Sequence, residues 1–82
     1  MPSIQITREL ADAYTSGCTR IDVDAPDVRV LLRELEAQYP GLGKAIERSH
    51  GIAIDGEFFQ EPLAEPLSAG SEVFVLPRIA GG

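Results

Sequence analysis

Val28-Arg29-Val30-Leu31-Leu32-Arg33-Glu34-Leu35-Glu36-Ala37-Gln38-Tyr39 is the stretch on which the fold turns. Val28, Leu31, Leu32, Leu35 and Tyr39 fall at offsets 0, 3, 4, 7 and 11, one face of a helix, while Arg29, Arg33, Glu34 and Glu36 take the other side. Pro40-Gly41 stops the helix. Upstream, Asp24-Ala25-Pro26-Asp27 suits a helix entrance: Pro26 fits the first turn, and either Asp24 or Asp27 can accept its free amide hydrogens. Leu42 to Arg48, with Leu42 and Ile46 one turn apart, adds a short turn or two before His50-Gly51.

On either side of this helical period the chain reads at period two. Residues 4 to 8 alternate apolar and polar with Ile4 and Ile6 inward, and Thr19-Arg20-Ile21-Asp22-Val23 repeats the pattern. So short a connection makes these strands antiparallel neighbours. Between them Leu10, Ala11 and Tyr14 pack on the sheet, and Thr15-Ser16-Gly17 signals a turn. Beyond the helix, Ile52-Ala53-Ile54 is a short strand too apolar to have a wet face. Asp55-Gly56 is a tight-turn pair leading into Glu57-Phe58-Phe59. Pro62 and Pro66 argue against continuous strand between residues 60 and 67, with Leu63 and Leu67 as anchors for that loop. Ala69-Gly70 then turns the chain into a last strand, Ser71 to Leu76, with Val73 and Val75 on one face and Phe74 and Leu76 on the other. One amphipathic helix needs a surface for its stripe, and a mixed four- to five-stranded sheet is the surface available, so the expected fold class is a two-layer α+β domain. A helix covers only one face of that sheet. Phe74, with one of Phe58 or Phe59, is therefore expected on the other face, as a protein-binding patch or beneath the 60–70 loop.

Eighty-two residues make a single domain, 1–82, able to bury about 60 to 65% of the surface its unfolded chain exposes. One cysteine, Cys18, excludes an internal disulfide framework and a cysteine-based metal site. No apolar run approaches the roughly 18 residues needed to span a membrane. Met1-Pro2-Ser3-Ile4 lacks the basic and apolar regions of a secretory signal, so a cytoplasmic location is expected. Thirteen acidic residues against seven basic ones give a formal charge of −6; Lys44 is the sole lysine and the six arginines are scattered. Phosphate contacts need clustered cations, so a nucleic-acid partner is not expected; the acidic balance fits either a protein partner with a basic face or a charge that simply keeps a small protein in solution.

The chain closes on Leu76-Pro77-Arg78-Ile79-Ala80-Gly81-Gly82. Glycine is costly to order and adds nothing to packing. Two of them at an end read as a frayed terminus or as a tail shaped to enter a channel too narrow for a β-carbon. Residues 77–82 are expected to form that flexible tail, and at about 3.3 Å per extended residue its last four would reach about 13 Å. Elsewhere the chemistry is sparse. His50 has no sequence-near partner, Cys18 no Cys-x-x-Cys companion, and Gly41-Leu42-Gly43-Lys44 lacks the spacing of a phosphate loop. Tyr14 and Tyr39 read as packing rings with hydroxyls at the edge.

Taken together, the pattern resembles the ubiquitin-like β-grasp sulfur-carrier proteins (MoaD/ThiS-like), with greatest likeness to the small subunit of molybdopterin synthase and a more distant one to the thiazole-synthesis carrier. The residues that carry the likeness are the opening ββ unit, Leu35-Glu36-Ala37-Gln38-Tyr39-Pro40-Gly41-Leu42, Asp55-Gly56-Glu57, and Leu67-Ser68-Ala69-Gly70-Ser71-Glu72-Val73 running to Leu76-Pro77 and Ala80-Gly81-Gly82. The resemblance implies a β-grasp fold and a protein that is a substrate rather than a catalyst. It also implies that the Gly82 carboxylate is adenylated with ATP by a ubiquitin-activating-like adenylyltransferase/sulfurtransferase, through a transient AMP adduct, and converted to a thiocarboxylate. The sulfur would then pass to an acceptor such as the molybdopterin synthase large subunit, with no permanently bound cofactor and no metal. Gly81 and Gly82 would give access, Ala80 would be the last side chain tolerated, and Phe58, Phe59, Phe74, Leu76, Pro77, Arg78 and Ile79 would meet the partner. Thiazole, cysteine or specialised-metabolite pathways, a lysine-conjugated modifier and a non-covalent adaptor are the alternatives. Two positions depart from the family pattern. Ser71 stands where relatives usually carry an aspartate and can make the same local backbone bond less strongly. Arg78 stands where they often have a second proline, which is expected to loosen the tail and to place a charge beside the partner's entrance.

Overall fold

The computed structural model describes residues 1–78. Five strands form one mixed sheet in the order β2-β1-β5-β3-β4: β1 (Ser3–Gln5), β2 (Arg20–Asp22), β3 (His50–Ile54), β4 (Glu57–Phe59) and β5 (Glu72–Pro77). β1 and β5 pair in parallel at the centre, and every other pairing is antiparallel. The register aligns Ile21, Ile4, Val73 and Ile54 in one row across four strands, with Ile52 beside Val75 in the next. Their side chains face α2 (Val28–Gln38) and α3 (Leu42–Ser49), whose Val28, Leu31, Leu35, Leu42 and Ile46 are completely buried. The sheet and the two helices thus close over a single core, the two-layer α+β arrangement expected from the helical stripe and the β-grasp that the family resemblance implies.

Local chemistry explains where each element starts and stops. β1 ends at Gln5, short of the predicted residue 8, because Thr7 leaves the ladder: its Oγ1 accepts the Leu10 N–H at 3.1 Å and caps α1 (Arg8–Leu10). The chain continues as a wider π-helical turn, Ala11–Thr15, closed by Ser16 and Gly17 at positive φ. Of the two candidate caps for α2, Asp27 is the one used, its Oδ1 accepting the Val30 N–H at 2.9 Å. α3 follows after one tight joint. Gly41 adopts φ 99°, and the Glu36 carboxylate, near the end of α2, accepts the amides of Gly41 (2.6 Å) and Lys44 (3.0 Å). These bonds, that to Gly41 foremost, hold the Glu36 carboxyl below its ordinary pKa.

The proline-containing loop contains a 3-10 turn, Pro62–Ala64, and is strapped to the helix entrance: the Val28 N–H donates to Glu65 O and the Leu67 N–H to Pro26 O. Leu63 and Leu67 pack on the core, as their spacing predicts. The loop therefore lies on the helix side and leaves the opposite face of the sheet uncovered. Ser71 is buried and its hydroxyl accepts the Ser68 N–H at 2.8 Å, the local bond expected at this position.

Candidate functional site

β5 is the central strand and also the strand that carries the chain towards its end. β1 pairs with it only along Glu72–Phe74, whereas β3 follows it as far as Pro77. β5 includes Pro77, which the sequence assigns to the tail. The reason is geometric: the Arg78 N–H donates to Ser49 O at 3.2 Å on the β3 side, so the nitrogen of Pro77 points the other way, where β1 has already ended. A proline there removes no ladder bond.

The outer face of the sheet is divided. On its β1–β2 half, Ser3 Oγ donates to Asp22 Oδ1 at 2.8 Å and Arg20 donates to Ser3 Oγ at 3.1 Å, with Glu72 3.9 Å from Arg20. On the other half, the register sets Phe74, Ala53 and Phe58 side by side, with Leu76 opposite Gly51 in the adjoining position. Phe58 is 55% and Leu76 44% exposed, and Phe74 is half-buried. Gly51 is the floor of this patch, since a β-carbon there would stand 2.6 Å from the Phe58 ring. Two phenylalanines on either side of Ala53 with a neighbouring leucine, bordered by charge, make a surface of the kind that docks another protein.

Of the two candidates in Phe58-Phe59, it is Phe58 that faces outward. Phe59 pairs with Ile52 on the core face and packs against the core. It still borders, with Phe58, Leu76, Pro77 and Arg78, a groove at the open end of β5. Five of the sequence-predicted interface residues thus converge on one groove, and Phe74 lies on the adjoining face. Gly51 and Ala53 are the contributors that sequence reasoning missed: in an apolar strand nothing local marks which small residues will carry neighbouring rings. Ile79, Ala80, Gly81 and Gly82 lie outside the described residues.

Arg78 departs from expectation. Instead of loosening the chain, its guanidinium donates to His50 O at 2.9 Å, Arg48 O at 3.4 Å and Glu47 O at 3.5 Å. His50 itself begins β3, with Nδ1 3.4 Å from Ala45 O. Cys18 is exposed, its Sγ 3.2 Å from Arg20 O. Among the described residues, no group of three His, Cys, Asp or Glu side chains is placed to hold a metal ion, and no helix is long and apolar enough to cross a membrane.

A mixed sheet grasping its helices, with an apolar patch on the outer face beside the end of β5, defines a ubiquitin-like β-grasp domain. The chain belongs to the ThiS family, whose model matches residues 4–82. Its fold is similar to that of CysO from Mycobacterium tuberculosis, an antigen, with TM-score 0.84 and 21% identity over 96% of this chain and 100% of that one. It is equally similar to a chain of the Amycolatopsis orientalis BexX/CysO complex, with TM-score 0.85 and 19% identity over 100% of both chains. The small archaeal modifier protein 1 of Methanosarcina acetivorans also shares the fold, with TM-score 0.79 and 24% identity over 99% of this chain and 95% of that one. No curated protein matches the chain.

Proposed function

We propose that this protein is a sulfur carrier whose Gly82 carboxylate is the working group and whose Phe58–Phe74–Leu76 patch docks the enzymes that act on it. The observation that carries the reading is the continuity of that patch with the end of β5, on a body of the ThiS family. A glycine carboxylate is ionised at neutral pH and is a poor acyl electrophile. Attack of its oxygen on the α-phosphorus of ATP releases pyrophosphate and leaves an acyl adenylate. Hydrosulfide then adds to the acyl carbon; the C–S bond forms, the C–O bond to AMP breaks, and AMP departs with the electron pair. The thiocarboxylate at Gly82 is the nucleophile delivered to the acceptor. Both steps belong to partner enzymes, and ATP is the activating enzyme's substrate, so the carrier needs no bound cofactor. Ala80, Gly81 and Gly82 supply the thin end that an adenylating site can enclose.

The acceptor favoured by the sequence resemblance is the molybdopterin synthase large subunit; thiazole, cysteine and specialised-metabolite synthesis would use the same chemistry. Incubation with ATP, the cognate activating enzyme and a sulfide source should raise the intact mass by the difference between sulfur and oxygen, and deletion of Gly82 should abolish that gain without loss of fold. An unchanged mass with a demonstrably active enzyme refutes the proposal. A second reading, a modifier joined to lysines, is favoured by the similarity to small archaeal modifier protein 1. Adducts on target lysines that survive reduction and mild nucleophile treatment would support it.

A further inference from the structure

We propose, resting on the sulfur-carrier reading, that Arg78 is a positioning residue: it clamps the end of β5 onto the open end of α3 and so fixes the point on the body from which the segment leading to Gly82 starts. The geometry begins with α3. The last carbonyls of any helix lack partners within it. Here the His50 N–H donates to Ile46 O, which leaves Glu47, Arg48 and Ser49 beyond the final helical bond. Arg78 answers all three. Its backbone N–H donates to Ser49 O, and its guanidinium reaches Glu47 O and Arg48 O, with the shortest bond, 2.9 Å, to His50 O. Four successive carbonyls therefore converge on one arginine from a strand about thirty residues away. Its positive charge also sits at the negative end of the helix dipole.

The fork matters as much as the charge. A guanidinium presents several N–H donors in a rigid plane and can reach carbonyls spaced along a helix end; an ammonium is a point donor on a flexible stem. Arg78 also borders two grooves, the one beside Phe58 and Leu76 and a second between α2, α3 and the 60–64 loop, floored by Leu32, Ile46 and Leu63. A clamp at this point leaves four residues rather than five beyond the anchored body, so the longest span to Gly82 is about 13 rather than about 17 Å. One fewer backbone residue then has to be ordered when an enzyme encloses the end.

The test is ATP–pyrophosphate exchange by the activating enzyme with the full chain as substrate, for wild type, Arg78→Ala and Arg78→Lys. Ordering one additional residue should raise KM for the alanine variant about five- to thirty-fold with kcat retained. The lysine variant should stay close to alanine. Amide hydrogen exchange on the chain alone should show that protection at position 78 is lost in both variants. An alanine variant with wild-type KM, a lysine variant that restores wild-type KM because the partner reads only the charge, or protection unchanged in Arg78→Ala would each overturn the clamp. Absence of exchange with the wild-type chain, where the enzyme is active on another carrier, would overturn the sulfur-carrier reading itself and the inference with it. Exchange that proceeds equally well in all three chains removes the clamp alone.

Discussion

Truncating Phe58 to alanine should separate docking from folding. The ring is 55% exposed. A phenylalanine can bury about 200 Å², so about 110 Å² remains for a partner to cover. At about 25 cal/mol per Å² that area is worth at most about 2.7 kcal/mol. The retained β-carbon reduces the loss to about 2 kcal/mol at the lower end, so affinity for the activating enzyme or the sulfur acceptor should fall about 30- to 100-fold. Leu76, 44% exposed, should add about 1 kcal/mol, a further fivefold, in the Phe58→Ala/Leu76→Ala pair. The covered part of the ring, which reaches from the edge strand β4 over Gly51 of β3, accounts for about 2 kcal/mol of folding free energy, which leaves a typical domain folded. Titration calorimetry against the purified partner, with urea melts of the same variants, measures both quantities. Wild-type affinity in the folded double variant would refute the assignment of this face. A double variant that cannot fold would show that the patch belongs to the core.

Two other perturbations probe the frame that holds the site. The Glu36 carboxyl has its pKa lowered by the amides of Gly41 and then Lys44, so its stabilisation is fully present above the unfolded value of about 4.3 and is lost as pH falls through the lower folded value. Glu36→Gln should flatten the acid limb of the stability profile, and an unaltered acid limb would contradict the role given to these bonds. Ser71→Ala removes the 2.8 Å partner of the Ser68 N–H and, because Ser68 is exposed and its N–H can turn to water, should cost about 0.5–1.5 kcal/mol. Ser71→Asp, the residue usual in relatives, should match or exceed wild-type stability in urea; a melt no better than that of Ser71→Ala would remove the local bond from the account.

What the sequence decided by itself was local in origin. Offsets of three and four from Val28 to Leu35 specify a helix with one buried stripe whatever lies beneath it, and Asp55-Gly56 specifies a turn because few residue pairs adopt its backbone angles; both stand in the structure. The pairing of turn, last strand and Gly81-Gly82 pointed to the carrier family for the same reason, since it lies in one contiguous segment. What tertiary structure decided involves residues far apart in the chain. Period two shows that Phe58 and Phe59 face opposite ways, but only the alignment of Ala53 with both Phe58 and Phe74 shows which ring is outside. The course of the 60–70 loop was set by bonds to Pro26 and Val28, and the clamp on Arg78 by carbonyls about thirty residues upstream. Periodicity records which residues share a face; the sheet register and long-range hydrogen bonds choose the neighbours and the face left to a partner.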